Sequence, residues 1–380
     1  MPRLLSISHS YVLGMNRRVL DAIGREGGGN WEVVGVTPSS YHGDYRWMRA
    51  DPEDSDAHFR LESVPVIFSR SPHLFLYGLR LRELLRSRFD VVHVWEEPYV
   101  LASAQIAAWT PSSSALVFSS FQNIAKNYPP PFHQVQSFAV HRSRGIIAWG
   151  ETVFEALSSR APFKARPMRV ITPGVDLDLF APRLAERISA REELGWDNGL
   201  PIVGFLGRFV EEKGLKLLLE ALDRVRSPWR ALFIGRGPLE VSLQAWARAY
   251  PSRIRILTSI RHEDVPRYLN AMDVLVAPSQ TRSNWREQFG RMIVEAFATG
   301  VAVIGSSSGE IPRTIGDAGV IVDEKDLDGW SGAIDRLLSD EKLRSYYARK
   351  GLKRVCERFA LSRIARQHLE FFETMTRLPN

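Results

Sequence analysis

Cysteine is almost missing from this chain. A single residue in 380, Cys356, excludes an internal disulfide framework and a cysteine-based zinc cluster and fits a reducing compartment; it reads as a buried spectator. Long apolar runs are missing too, since stretches such as ALVF and DVLVAP are only strand length, against the roughly 20 residues of a membrane helix. The opening MPRLLSISHS lacks the basic start, long apolar middle and small-residue cleavage site of a signal peptide, so a cytoplasmic protein is expected. No block of consecutive Lys/Arg, recognition-helix motif or aromatic-basic repeat is present, which argues against a nucleic-acid partner. Neither a G-x-x-x-x-G-K-[ST] loop nor a G-x-G-x-x-G after the first strand occurs, so ATPase and dehydrogenase readings fall. The nine histidines show no H-E-x-x-H spacing, and no metal is expected. Two D-x-D pairs, Asp176 with Asp178 and Asp326 with Asp328, are short patterns; the first falls in a polar linker and the second opens a helix, where Asp suits capping.

What is present is an α/β pattern repeated twice. Apolar content of 44% and charged content of 24% are those of a globular protein, and 380 residues suit two domains with a cleft between them. Strand-like runs alternate with helical segments from RLLSIS through WEVVGV, SVPVIF, FDVVHVW, SALVFSS, RGIIAW and MRVIT, the mark of a doubly wound parallel sheet. The first-half helices fall around 17–25, 73–88, 99–109, 132–143 and 151–160. A polar stretch over 173–200 reads as the linker, and the scheme restarts with PIVGFLG, WRALFIG, RIRIL, DVLVAP, VAVIGS and GVIVD. We therefore expect a first domain over 1–178 and a second over 179–380, with one of the last two helices crossing back to brace the first.

The net charge of +7 admits an anionic substrate or an anionic membrane surface. LFLYGLRLRELLRSR sets Arg80, Arg82, Arg86 and Arg88 beside Leu74, Phe75, Leu79, Leu84 and Leu85, so a peripheral contact at the inner face of the membrane competes with an ordinary helix packing its leucines on the sheet.

Chemistry concentrates at the carboxyl ends of the second-half strands, where open parallel sheets bind ligands. After Gly207, Arg208 and Lys213 flank a turn as fixed cations of the kind a diphosphate needs when no metal neutralises it; a surface salt-bridge loop is the competing reading, because Glu211 and Glu212 lie between them. Gly235 makes a tight turn that either lets backbone approach a ligand or simply starts a helix, and at Thr258, Ser259 and Ile260 a nucleobase site competes with a plain loop. In EQFGRMIVEAFATG, Glu287 precedes a Phe-Gly break while Glu295 lies about a turn into a helix starting near Arg291. The free N–H groups of Arg291, Met292 and Ile293 would then sit between two carboxylates, where a phosphate binds. Phe289 and Gly290 would offer backbone N–H groups to a sugar, Glu287 would accept from its hydroxyls and Glu295 from ribose.

These residues resemble the retaining, GT-B fold glycosyltransferases of family 4, with matching motifs over 173–323 and a compatible pattern over nearly the whole chain. The resemblance implies two Rossmann-like domains facing a central cleft, and a hexose-type sugar moved from a UDP- or GDP-linked donor to a sugar, lipid-linked or metabolite acceptor. No cofactor is implied, the nucleotide sugar being a co-substrate. Arg208, Lys213 and Glu287 would be the catalytic set, with Gly14 reaching the phosphate from the first domain; Lys213→Ala should then lower turnover far more than stability. Two places depart from the family pattern. The first loop has a single glycine, and FSSFQN puts Gln122 where many members have a histidine. Glu96, Glu97, Tyr99, Gln122, Asn123 and Lys126 are the acceptor-side residues, with loop and cap chemistry as their alternative. Other readings are an epimerase or phosphorylase of the same fold, or a catalytically silent binding partner in polysaccharide assembly.

Overall fold

Thirteen short strands, those at the sheet centres buried and apolar, pair into two parallel sheets in the computed structural model, which describes residues 1–43, 47–52, 56–197 and 199–378. The first sheet contains β1 (Arg3–Ile7), β2 (Glu32–Pro38), β3 (Arg60–Val64), β4 (Val91–Val94), β5 (Ala115–Ser120), β6 (Gly145–Ala148) and β7 (Met168–Val170) in the order β7-β6-β5-β4-β1-β2-β3. The second contains β8 (Ile202–Leu206), β9 (Arg230–Ile234), β10 (Ile254–Leu257), β11 (Val274–Ala277), β12 (Ala302–Ser306) and β13 (Val320–Val322) in the order β10-β9-β8-β11-β12-β13. Every residue of β4, β5, β6, β11 and β12 is buried, because helices cover both faces of such a sheet. Each sheet reverses its strand order once, between β1 and β4 and between β8 and β11.

The contacts divide the chain into two units, Met1–Thr172 with Leu361–Asn380, and Pro173–Ala360. The division differs from the 178/179 boundary read from the sequence, and the polar stretch after residue 173 is no bare linker. It contains the helix Leu184–Glu193, which belongs to the second unit. Arg187 and Arg191 of that helix bond the Asp273 carboxylate at 2.7 Å each and the carbonyls of Asn270, Met272 and Ala271, so its arginines close the carboxyl end of Val265–Ala271. The crossing helix is Leu361–Arg377. Ile364, Ala365, His368, Phe371, Phe372 and Met375 line its buried stripe, packed against the helix Gly14–Glu26 and against β5. Cys356 is exposed rather than buried: Gly351 and Val355 set the inner face of Glu341–Arg358, and the next position along turns away from it.

Two local expectations are corrected. The run SVPVIF splits at Pro65, which has no N–H to donate; the edge strand β3 ends at Val64, and Val66–Ile67 pairs antiparallel with Leu76–Tyr77 in a separate hairpin. The helix expected over 73–88 shrinks to Leu79–Leu85, since Gly78 opens it and the preceding residues alternate in and out as a strand does. Leu81, Leu84 and Leu85 point inward while Leu79 is exposed. The D-x-D residues have structural uses: Asp176 accepts from the amides of Asp178 and Leu179, Asp326 caps Leu327–Ser339 through Gly329, and Asp328 meets Arg224 at 2.5 Å.

Candidate active site

Strands β8 and β11 are neighbours, Val203 beside Val274 and Gly204 beside Leu275. The loops leaving their carboxyl ends therefore meet at the point where the strand order reverses, the usual ligand position in such sheets. After β8 the chain passes Gly207 and Arg208 into a single turn, Glu211–Lys213. Gly214 follows in the left-handed region at φ 68°, and a Cβ there would stand 1.8 Å from the Pro278 carbonyl oxygen, so only glycine lets the two loops come this close. The Gln280 amide then donates to the Glu212 carbonyl at 2.8 Å.

This docking brings together residues 74 positions apart. Lys213 Nζ donates to Glu287 Oε2 at 2.6 Å, and Ser279 Oγ donates to the same oxygen at 2.8 Å. Burial alone would push the Glu287 carboxyl up, but the Lys213 ammonium, the Ser279 hydroxyl and the Gln288 amide together hold it below its ordinary value. It is a buried, ionised acceptor. Lys213 Nζ also lies 5.2 Å from the centre of the Trp285 ring, in cation–π range, because Arg282 N bonds Trp285 O at 2.8 Å and folds the loop into a tight turn. Arg208 points outward, its side chain 46% exposed and 3.6 Å from Glu212 Oε1. The salt-bridge reading thus describes Arg208 but not Lys213.

The helix Arg291–Ala298 starts from Gly290, left-handed at φ 81°, with no side chain capping it. The Ile293 N–H, expected to be free for a phosphate, instead donates to the Gly290 carbonyl at 2.9 Å, because a tight first turn supplies its own acceptor. Phe289, Met292 and Ile293 are buried, which leaves backbone as what Phe289 and Met292 offer; the Phe289 carbonyl accepts from Thr314 Oγ1 at 2.8 Å. Arg291 lies at the same turn, its guanidinium pKa lowered by burial against the pull of Glu295. Glu295, 5% exposed, accepts from His262 Nε2 at 3.1 Å. Gly235 has a packing reason of its own, because a Cβ there would stand 1.8 Å from the Gly207 carbonyl oxygen. Ser259 is exposed and Ile260 half-buried against the core. An ammonium, an outer guanidinium, an uncapped helix start and two buried carboxylates make a set that can hold an anion and the hydroxyls beside it.

In the first unit the residues read as acceptor-side are largely inside. Glu96 is 1% exposed and accepts from the His9 amide at 2.5 Å, from the His9 ring and from Tyr77 OH at 3.3 Å. Glu97, 3% exposed, accepts from Ser120 Oγ at 2.9 Å and Phe121 N at 2.7 Å; burial pushes it up to about 7 despite those bonds and Arg160. Both carboxylates fasten loops, which is the alternative the sequence left open. Tyr99 stacks on Tyr128 at 4.2 Å. Gln122 is buried and donates to the Ile124 carbonyl at 3.2 Å, Asn123 is buried and Lys126 half-buried. The Gly14 amide is bonded to Asp51 Oδ2 at 2.7 Å, so the structure gives that donor a partner within its own unit.

Ser279 as a partner of Glu287, Trp285 beside Lys213 and His262 beside Glu295 went unread in the sequence, since each depends on a loop contact that no spacing encodes. A tryptophan inside the polar stretch QTRSNWREQ was the one available signal.

The family model for glycosyl transferases group 1 matches residues 186–354, and that for glycosyltransferase family 4 matches 14–179. The chain belongs to these glycosyltransferases. The spore coat protein SA of Bacillus subtilis is 27% identical over 314 residues, 77% of this chain and 80% of that protein. A GDP-mannose-dependent alpha-(1-6)-phosphatidylinositol monomannoside mannosyltransferase of Mycolicibacterium smegmatis is 34% identical over 181 residues, 45% of this glycosyltransferase and 47% of the relative. Among solved structures, the sucrose-phosphate synthase of Thermosynechococcus elongatus has a TM-score of 0.74 at 21% identity over 99% of both chains. Anabaena HepE, solved with UDP and glucose, has a TM-score of 0.75 at 18% identity, over 98% of this chain and 100% of its own. The fold is GT-B. Among the described residues no helix is long and apolar enough to cross a membrane.

Proposed function

We propose that this glycosyltransferase moves a hexose-type sugar from a UDP- or GDP-linked donor to a hydroxyl of a sugar, lipid-linked or metabolite acceptor, with retention and without a metal. The observation that carries the reading is the Lys213 to Glu287 pair beside the uncapped start of Arg291–Ala298. The diphosphate lies on that helix start, with Lys213 and Arg208 neutralising it. Glu287, with the Phe289 and Gly290 amides, takes the sugar hydroxyls, and Glu295 takes the ribose. The bond from the anomeric carbon to phosphate oxygen breaks as the acceptor oxygen bonds that carbon on the same face, and the leaving phosphate accepts the acceptor's proton. Fixed cations and N–H groups stabilise the charge gathering on the diphosphate. Support for a nucleotide-sugar donor comes from a GDP-mannose-dependent relative and a neighbour holding UDP.

A thermal-shift panel of UDP, GDP and ADP tests the donor reading. A nucleotide at 100 times its dissociation constant should stabilise by about 2.7 kcal/mol, and no shift with any of them sinks the proposal. Transfer abolished by a chelator and restored by magnesium or manganese would remove the metal-free part, and an inverted product anomer would remove retention.

For localisation, the proposal puts a peripheral contact on the hairpin at 66–77 and the helix after it. Ile67, Phe68, Leu74 and Leu79 are exposed by 54, 67, 44 and 70%, and Arg82 and Arg86 share the outer helix face with Leu79. Binding to phosphatidylglycerol vesicles should fall in Phe68→Ser with Leu79→Ser; no binding by the parent protein would refute the contact.

A further inference from the structure

We infer that His262 is a positioning residue which fixes Glu295 for the ribose, so that the enzyme selects ribonucleotide over deoxynucleotide donors; this rests on the donor reading above. His262 opens the single turn His262–Asp264 at the head of the helix Val265–Ala271, in the loop that follows β10 at the carboxyl edge of the second sheet. Its ring has three distinct surroundings. Nε2 faces Glu295 Oε1 at 3.1 Å. The ring centre lies 5.5 Å from that of Phe180, a side chain only 2% exposed. Nδ1 is buried with no hydrogen-bond partner.

The unpartnered nitrogen decides the tautomer. A proton on Nδ1 would be a buried donor with nothing to meet it, which is costly, whereas a proton on Nε2 is met by a carboxylate. The neutral ring therefore donates from Nε2 and leaves Nδ1 as a bare lone pair. Glu295 needs such a partner. It sits in the first turns of Arg291–Ala298, 5% exposed, where helix geometry fixes its backbone but not its carboxylate torsion. One bond at Oε1, from a ring pinned by Phe180, sets that torsion. A carboxylate has about four lone-pair sites, so two adjacent hydroxyls can still be accepted. Because His262 acts through Glu295, its contribution should appear only for ligands that carry those hydroxyls.

The experiment measures binding of UDP or GDP, whichever raises the melting temperature, against its 2′,3′-dideoxy analogue. The parent protein should prefer the ribonucleotide by about 10- to 100-fold, the scale of hydrogen bonds to a charged acceptor. Glu295→Ala should abolish the preference and His262→Ala should cut it to within about 3-fold, a tenth or less of the upper expectation, with dideoxynucleotide affinity little changed. His262→Gln, whose amide nitrogen reaches as far as Nε2, should restore it. His262→Asn, whose amide reaches only as far as Nδ1, should not. Equal binding of both nucleotides by the parent protein would remove the ribose role of Glu295 and the donor reading with it. A parent preference that vanishes in Glu295→Ala but survives in His262→Ala leaves that reading standing and overturns the inference, as does equal weakening of both ligands. If His262→Ala does not fold, the Gln and Asn variants decide it, and equal behaviour of those two refutes it.

Discussion

Removing Lys213 should unfold this protein more easily as well as slow it. Its ammonium is 2.6 Å from Glu287 Oε2, the two side chains being 14% and 8% exposed. Lys213→Ala would strand a carboxylate in a site built to keep it ionised. Breaking a buried pair from one side costs about 3–5 kcal/mol. Glu287 would keep the Ser279 hydroxyl at 2.8 Å and the Gln288 amide, which places the loss near the lower end, about 3 kcal/mol. For a unit of this size that corresponds to a fall in melting temperature of about 6–12 °C. Lys213→Ala with Glu287→Gln removes the stranded charge and should recover more than half of it. The sign with pH follows from the depressed Glu287 pKa. Its stabilisation is full above the unfolded carboxyl value and is lost as pH falls through the folded one, so the gap between parent and Lys213→Ala should close in acid. Turnover should fall by about 100- to 1,000-fold in both variants, the scale of losing one fixed stabiliser of developing negative charge. Differential scanning fluorimetry across pH, with a transfer assay in parallel, reads all of this. A single variant that melts with the parent, or a double variant that melts no higher than the single, would refute the reasoning. The sequence alone suggested that turnover would suffer far more than stability; the pair with Glu287 predicts losses of similar size.

Other outcomes follow from the same geometry. Glu97 is pushed up to about 7 from 4.5 by burial, so it stabilises below pH 4.5 and that contribution fades as pH rises through 7. Glu97→Gln should melt with the parent at pH 5 and be more stable at pH 8.5 by about 2–3 kcal/mol; a constant offset across pH would refute this. His93 and His368 are held neutral by burial, the latter near pH 4. Their depressed values imply stability that is complete above the ordinary histidine range and lost as pH falls from about 6.5 toward 4, and His368→Leu should flatten that slope. Gly214→Ala should express poorly or melt far below the parent, because its φ of 68° and a Cβ 1.8 Å from Pro278 O leave no relaxed place for a methyl; a normal melt would show that the two loops are not docked as described.

Most strands of both sheets were legible in the sequence because they are short apolar runs between turn signals, and burial on both faces demands that composition whatever the strand order; the edge strand β3, RLESV, is no such run, and only Ser63 and Val64 of it fell within a run that was read. The crossing of the last helix was legible as a strongly one-sided apolar face without a local partner. Arg208, Lys213, Glu287 and Glu295 were legible because they follow strand ends, where parallel sheets put their ligands. The hairpin at 66–77, the outward turn of Cys356 and the helix at 184–193 were misread, since Pro65, one step of helical phase and a polar composition each leave more than one local structure open. Only the tertiary structure decided which charges meet. The bond from Lys213 to Glu287 spans 74 residues and that from His262 to Glu295 spans 33; the first exists because the neighbouring strands β8 and β11 deliver their loops to one edge, and the second joins segments that follow β10 and β11, two strands further apart in the sheet. It also turned Glu96 and Glu97 inward and gave the Gly14 amide to Asp51. Residue type fixes what a side chain can do; only the path of the backbone fixes what it does it to.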